Sequence, residues 1–422
     1  MSSTAVKRMF EPLPSEIRSR VLTLNVETVL VGVVWALLHV GWYAHHQITD
    51  YGVYRHYGDG ITHTHAVPYR DFPMEYPPGA LPVFVLPALL EHYDYDRVFQ
   101  GLMALCEVAA VIAVALVAGR RAAVIAAVAP LALGSVVISR FDLWPTALVA
   151  VGIAALVRGR SATSALLLGT AFAAKLWPVV LAPLVVIWLA RTRGPRAAAQ
   201  WAAAAVATAA AWFLPFVALS PAGVGHTFHS QLARPLQLES LGGSVLIAAH
   251  KIAGTTLRVT DSFGSQNLTG PGTHAAAVVT TVVGAFALVA IWVLFARGAA
   301  TDERFVTHTA GAVAALVAFG KVFSPQYLMW LVPFVLLVPG LRGVAAAALL
   351  VAALMLTQSW FPHHYWELAN SLASVQSAEL LARNLFVLAL AVVLVWPRSE
   401  HEMLGEHRAR LEALQRVRPQ VQ

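Results

Sequence analysis

An aspartate, Asp50, stands just beyond the first long apolar run and opens a loop dense in reactive groups. The loop reads Asp50-Tyr51-Gly52-Val53-Tyr54, then Pro68-Tyr69-Arg70-Asp71-Phe72, then Glu75-Tyr76-Pro77-Pro78-Gly79. A carboxylate at a membrane boundary, among apolar neighbours, suits general-base work on a hydroxyl. A solvated interfacial aspartate is the plainer account of the same residue. A second group is cationic: Arg140, Lys175 and Lys321 each stand at the end of an apolar run with almost no loop around them. Cations embedded there are costly and mark function by default. Converging from different helices, they would suit the phosphate of an anionic lipid entering sideways from the bilayer. The plainer account pairs Arg140 with Asp142 and lets the lysines reach towards headgroups. Glu107 and Arg383 lie inside apolar runs, where they could pair or line a cavity, with packing the plainer role for Glu107.

Histidines are numerous in the loops, with His45, His46, His63, His65, His226, His229, His363 and His364 outside the apolar runs. His226 and His229 are spaced for one helix face, but no Cys or carboxylate completes a ligand set nearby, so no metal is expected. Interfacial or phosphate-contacting roles fit them better. Trp42, Tyr43, Trp360, Tyr365 and Trp366 read as an interfacial aromatic belt, one or two of which could stack on a sugar. Neither a G-x-x-x-x-G-K-[ST] loop nor a strand-borne G-x-G-x-x-G occurs, which disfavours nucleotide-driven chemistry. No cofactor is expected.

The elements that must position these groups follow from composition. The 422-residue chain is 58% hydrophobic and 12% charged, against about 25% charged for soluble domains. Its mean hydropathy is +0.66. A soluble protein is excluded. The net charge of +7 reads as cytoplasmic loops beside anionic lipid, not as a nucleic-acid interface. Cys106, the only cysteine, lies in an apolar run and reads as packing.

Spans long enough to cross a core of about 30 Å are expected near residues 26–44, 98–118, 122–138, 141–157, 161–174, 176–190, 198–217, 274–296, 305–319, 327–340, 343–357 and 378–396. The first comes after a polar stretch, is followed by no small-residue cleavage site, and reads as a retained span. The piece 79–90, short and carrying Pro82 and Pro87, reads as interfacial or re-entrant. With it not crossing, Arg120/Arg121, Arg158/Arg160, Arg191/Arg193/Arg196, Arg297/Arg304, Arg342 and Arg398 share one side with the N-terminal cations. That side should be cytoplasmic. The organisation expected is a cytoplasmic segment 1–25, a transmembrane domain 26–396 with outer loops 45–97 and 218–273 and a shorter one at 358–377, and a cytoplasmic basic tail 397–422. The tail suits either a surface helix on the inner leaflet or a solvated extension. Outer loops this long and rich in Trp, Tyr, His and Pro are expected to be structured.

The set of motifs resembles the GT-C superfamily of glycosyltransferases, and within it family 87, the polyprenol-phosphate-mannose-dependent mannosyltransferases of envelope synthesis. Asp50, Tyr54, the run 68–72 and the run 75–79 carry the resemblance. So do Arg140-Phe141-Asp142, Ala174-Lys175-Leu176-Trp177-Pro178 and Phe323-Ser324-Pro325-Gln326-Tyr327. It implies an all-α polytopic fold of the GT-C type, to which the windows above give about twelve transmembrane helices, with outer loops partly built from short helices over a cavity. It implies catalysis by an acidic residue of the first outer loop, the position Asp50 occupies. Many relatives carry paired acids there, whereas Tyr51 follows Asp50. The partners implied are a polyprenyl-phosphate sugar, with mannose by resemblance only, and an envelope glycolipid or glycan acceptor. Binding roles are expected for Arg140, Lys175, Lys321, Tyr54, Arg70, Asp71, Glu75, Tyr76, Asp142, Gln326 and Tyr327.

A transporter or lipid flippase would share the many spans and embedded charges, but it usually shows internal repeats and helices broken at midplane. No convincing repeat relates the halves, and the polar residues gather at one face. A non-catalytic envelope-assembly partner would leave Asp50 and the cations without a shared purpose.

Overall fold

The computed structural model describes residues 25–45 and 48–396. The expected segment 1–25, except Asn25, the basic tail 397–422 and His46 lie outside the described residues. Helix dominates, because long runs of Ala, Leu and Val are punctuated only by Gly, Pro and capping residues. Helix α1 is Asn25–Leu37. The first loop then folds into α2, Tyr51–Thr62, and α3, Leu81–Leu89. The nine residues of α3, at about 1.5 Å each, are too short to cross a core of about 30 Å.

Helix α4, Tyr95–Ala118, starts where the Asp94 side chain accepts from Arg97 N. The span expected at 122–138 is instead three pieces: α5, Arg120–Val128, α6, Pro130–Leu133, and α7, Val136–Ser139. Pro130 cannot donate within a helix, and Gly134 takes a positive φ of 77°. Such irregular backbone is tolerated at membrane depth only where protein covers it. Here Leu133, Val136 and Ile138 are all at most 2% exposed. The chain continues through α8, Leu143–Val157, α9, Ser161–Ala174, α10, Ala182–Thr192, and α11, Pro195–Leu219.

The second long loop departs from the expectation of helices alone. It contains α12, Pro221–Ala233, and α13, Leu241–Ala253, but also a hairpin of β1, Arg258–Ser262, and β2, Ser265–Thr269. The strands pair antiparallel from Arg258↔Thr269 to Ser262↔Ser265. The two-residue turn places Phe263 and Gly264 at φ 53° and 64°, the left-handed pair that suits a tight hairpin. Six helices complete the described residues: α14, Thr273–Arg297; α15, Asp302–Phe319; α16, Leu328–Leu336; α17, Gly340–Trp360; the short α18, Tyr365–Ser371; and α19, Ser374–Val395.

Among the described residues, α4, α11, α14, α17 and α19 are long and apolar enough to cross a membrane, and seven further apolar stretches run to 10–17 residues. Only 6% of the apolar window of α11 and 17% of that of α14 is buried by protein. Their exposed faces are apolar (Val206, Leu214, Val279, Phe286) and suit lipid contact.

The two long loops are stitched to each other. Ser220 Oγ donates to the Tyr69 carbonyl at 3.0 Å and Thr227 Oγ1 to that of Met74 at 2.6 Å. Gly223 makes this approach possible, since a Cβ there would sit 1.9 Å from the Tyr69 oxygen. The strip 236–240 binds the hairpin through Leu238 N to Gln266 O and Leu268 N to Leu236 O, both 2.9 Å. It also binds the segment before α16, through Gln237 N to Lys321 O at 2.9 Å. These bonds fasten the second loop over the first.

Candidate active site

Beneath that roof lies a cavity of about 450 Å³, within the range of ordinary ligand sites. Asp50 reaches it from the N-terminus of α2. Its backbone carbonyl accepts from Val53 N and Tyr54 N, while its carboxylate caps nothing and faces the cavity. Arg140, in the extended link between α7 and α8, brings Nη1 to 2.6 Å from Asp50 Oδ1. The pair is in contact but unaligned: Nε and Nη1 of Arg140 make no hydrogen bond among the described residues. With only 8% of its side chain exposed, this guanidinium retains donors for a further anion.

Lys175 stands at the C-terminal end of α9, where the helix dipole favours a cation. Its Nζ donates to Asp142 Oδ1 at 2.6 Å. The rings of Phe141, Tyr327 and Trp330 lie 4.8, 5.3 and 5.3 Å from the ammonium. Such an aromatic cage steadies a cation without using its donors. Gly79 sets the approach: its Cβ would fall 2.6 Å from the backbone nitrogen of Ala174, and its carbonyl accepts from Trp144 Nε1 at 2.9 Å. The run 75–79 is thereby pressed against the helix end that carries Lys175.

Glu75 meets Arg234 at 2.7 Å, and Arg234 also donates to the Phe263 carbonyl at 2.7 Å. The guanidinium so links first loop, α12 end and hairpin turn. Burial raises the Glu75 carboxyl above the usual range, against the opposing effect of Arg234.

Of the residues expected to bind, Asp50, Arg140, Lys175, Glu75, Tyr76, Gln326 and Tyr327 line this one cavity. Tyr54 and Asp142, each 1% exposed, stand behind the wall. The Tyr54 hydroxyl donates to Asp50 Oδ2 at 3.4 Å while its ring packs on Phe84 and Phe99. Arg70 and Asp71 are elsewhere. They pair with each other at 2.8 Å on the surface, and the Arg70 hydrogen bonds hold the Asp71 carboxyl down at about 2. Lys321 is also elsewhere: its Nζ donates to the Leu232 carbonyl at 2.7 Å, outside the lining. The three cations expected to converge are thus two, because the chain around Lys321 turns its side chain towards the end of α12.

Arg140 pairs with Asp50 and Lys175 with Asp142, so the pairing of Arg140 with Asp142 does not form. Glu107 and Arg383 do not meet either. Glu107 accepts from the Trp35 indole and borders a separate apolar cavity of about 40 Å³. Arg383 donates to the Glu239 carbonyl at 2.8 Å. No described histidine lines the main cavity. Sequence reasoning missed Arg234, Gln237, Glu239 and Asp261, which the second loop contributes. The run Gln237-Leu238-Glu239-Ser240 ahead of Gly242 and Gly243 was the available signal, since Ser240 Oγ accepts from Gly243 N and starts α13.

A carboxylate beside a reacting hydroxyl, with fixed cations a short way off, is the arrangement that group transfer from a phosphate leaving group requires. The family model of glycosyltransferase family 87 matches residues 75–325. The chain belongs to glycosyltransferase family 87. The match spans more than half of the 422 residues and encloses Arg140, Lys175, Arg234 and Glu239, while Asp50 precedes it. Among curated proteins, none matches the chain. This family 87 member is a membrane-embedded glycosyltransferase with an all-α polytopic architecture consistent with the GT-C superfamily.

Proposed function

We propose that this family 87 enzyme transfers a sugar from a polyprenyl-phosphate donor to an envelope glycolipid or glycan acceptor, with inversion at the anomeric carbon. The observation that carries the reading is the contact of Asp50 with Arg140 on the cavity that Lys175 also lines. The lipid phosphate binds the unaligned donors of Arg140 and the free protons of Lys175. Drawn to the phosphate, Arg140 releases Asp50, which takes the proton of the acceptor hydroxyl. The hydroxyl oxygen bonds to the anomeric carbon as the carbon–oxygen bond to phosphate breaks, and the electron pair leaves on the phosphate. No general acid is needed, because the phosphate departs as an anion held by fixed cations. Mannose is the sugar by resemblance to the family.

The proposed setting is a multi-pass protein with both termini cytoplasmic and the cavity at the outer face, where a nucleotide sugar is scarce and a lipid-borne sugar is at hand. In this layout 1–25 and 397–422 flank a transmembrane domain 26–396. The test is to incubate the purified protein with polyprenyl-phosphate mannose and candidate glycolipids, then determine product mass and linkage. A glycoside of inverted configuration is expected. Transfer from a nucleotide sugar instead, or retained configuration, would overturn the reading.

A further inference from the structure

A buried polar cluster under the second loop has no part in the chemistry above. Glu239 is 2% exposed yet lines the cavity. Its carboxyl bonds the Tyr365 hydroxyl, while its Oε2 has no hydrogen-bond partner among the described residues. Beneath it Arg383, 0% exposed, donates from Nη2 to the Glu239 backbone carbonyl at 2.8 Å, and Asn384 Nδ2 donates to the same oxygen at 3.2 Å. The Arg383 guanidinium rests 3.7 Å from the centre of the Phe323 ring. A buried carboxylate with an open acceptor position is destabilising unless something fills it. The backbone holding it is also over-determined, tied to Lys321, Gln266, Arg383 and Asn384 at once. That is how a binding group is kept in place before its ligand arrives.

Both signs line the cavity: Arg140 and Lys175 stand beside the ends of α8 and α9, Arg234 is taken up by Glu75, and Glu239 and Asp261 come from the second loop. An anionic phosphate is repelled by the acids and drawn to the cations. What remains for the acidic side is a group rich in hydroxyl donors, and the Tyr365 and Trp366 side chains beside it suit the apolar face of a sugar ring. We infer that Glu239 accepts a hydrogen bond from a sugar hydroxyl, and that Arg383 is the positioning residue that holds its segment. The inference rests on the glycosyl-transfer reading, since it takes the occupant to be a sugar, and the hydroxyl can belong to donor or acceptor.

Burial pushes the Glu239 carboxyl up to about 7, with Arg383, Tyr365 and Arg140 acting in the opposite direction and Asp261 facing Tyr365. Below that pH the group carries a proton and loses its strength as an acceptor. Binding should therefore weaken as pH falls from 8 to 6.

The test uses the full chain in lipid nanodiscs and uncharged hexyl glycosides as probes, followed by the fluorescence of Trp177, Trp330 and Trp366 on the cavity wall. Glu239→Gln should weaken binding roughly ten- to hundredfold, as loss of a charged hydrogen bond does, and should abolish the pH dependence. Glu239→Asp, which keeps the charge beside Arg383, should also weaken binding while melting like the wild type. It decides the matter if the glutamine variant does not fold. Equal affinity in the variants, pH dependence surviving in Glu239→Gln, or no saturable binding of any glycoside to the wild type would overturn the inference. In transfer assays a raised KM for one substrate names the source of the hydroxyl, and unchanged KM for both would count against the contact. Because the probes carry no phosphate, intact glycoside binding with no transfer from a polyprenyl-phosphate sugar would sink the lipid-phosphate reading alone.

Discussion

Lys175 and Trp330 meet at a single oxygen: the ammonium donates to Asp142 Oδ1 over 2.6 Å and the indole N–H to the same atom over 2.7 Å. Asp142 is 1% exposed, so neutralising it strands a half-buried cation. Breaking such a pair costs about 3–5 kcal/mol. Asp142→Asn should lower the melting temperature and the affinity for donor together. An unchanged melting curve would show that the pair carries no stability.

Asp50→Asn keeps the shape of the side chain but cannot take the proton of an acceptor hydroxyl. General-base catalysis is worth about 10² to 10⁴-fold, so kcat under saturating substrates should fall by that order while donor still binds. Asp50→Glu should retain little activity, since a shift of about 1 Å can cost about 10²-fold. Near-normal turnover in folded Asp50→Asn would remove Asp50 as the base. Glu75, on the same cavity, would then be the next candidate, ahead of the surface-paired Asp71.

The cations should separate by position. Arg140→Gln and Lys175→Gln should each weaken donor binding by about 1.5–3 kcal/mol, the worth of a charged hydrogen bond. Lys321→Gln, outside the lining, should leave it unchanged. Calorimetric titration with a short-chain polyprenyl-phosphate sugar checks this, and equal losses in all three would restore the expected triad.

Gly79→Ala is a test of placement without change of charge. Its Cβ would meet the Ala173 and Ala174 backbone at 2.6 Å, so the run 75–79 must move away from the end of α9. Overpacking of this kind typically costs about 1–3 kcal/mol. Turnover should fall more than stability, because Glu75 and Lys175 sit on the two sides of the displaced contact. Full activity would show that the contact is not needed to set the site.

For topology, a reporter after Arg193 should be cytoplasmic, whereas reporters near Tyr93 and Gly223 should be outside. Arg193 donates to the Leu156 carbonyl and Ser161 hydroxyl, at the ends of α8 and α9 opposite the cavity. Opposite signals would invert the assignment, and a cytoplasmic Tyr93 would mean that 79–90 crosses.

What was legible from sequence depended on range. Asp50 announced itself through its position after an apolar run, and the short 79–90 piece through its length and two prolines. The break of 122–138 was written in Pro130 and Gly134, yet hydropathy averages over such breaks. The hairpin had a readable turn in Phe263-Gly264, but its strands, Arg258–Ser262 and Ser265–Thr269, are polar and lack a strongly alternating apolar face. Glu239 was illegible because its backbone is held by Arg383, 144 residues away. Lys321 misled because a cation at the end of a span looks alike whether it faces a cavity or a neighbouring carbonyl.

The cavity places Asp50, Glu75, Glu239 and Asp261 against Arg140, Lys175 and Arg234, so signs nearly cancel within it although the chain as a whole is +7. Such a site projects little field beyond its own mouth, and long-range attraction, the source of salt-sensitive association, is correspondingly small. Under the proposed lipid-borne donor, capture is then governed by two-dimensional diffusion in the bilayer and by fit inside the cavity, and the rate of encounter should be nearly indifferent to ionic strength.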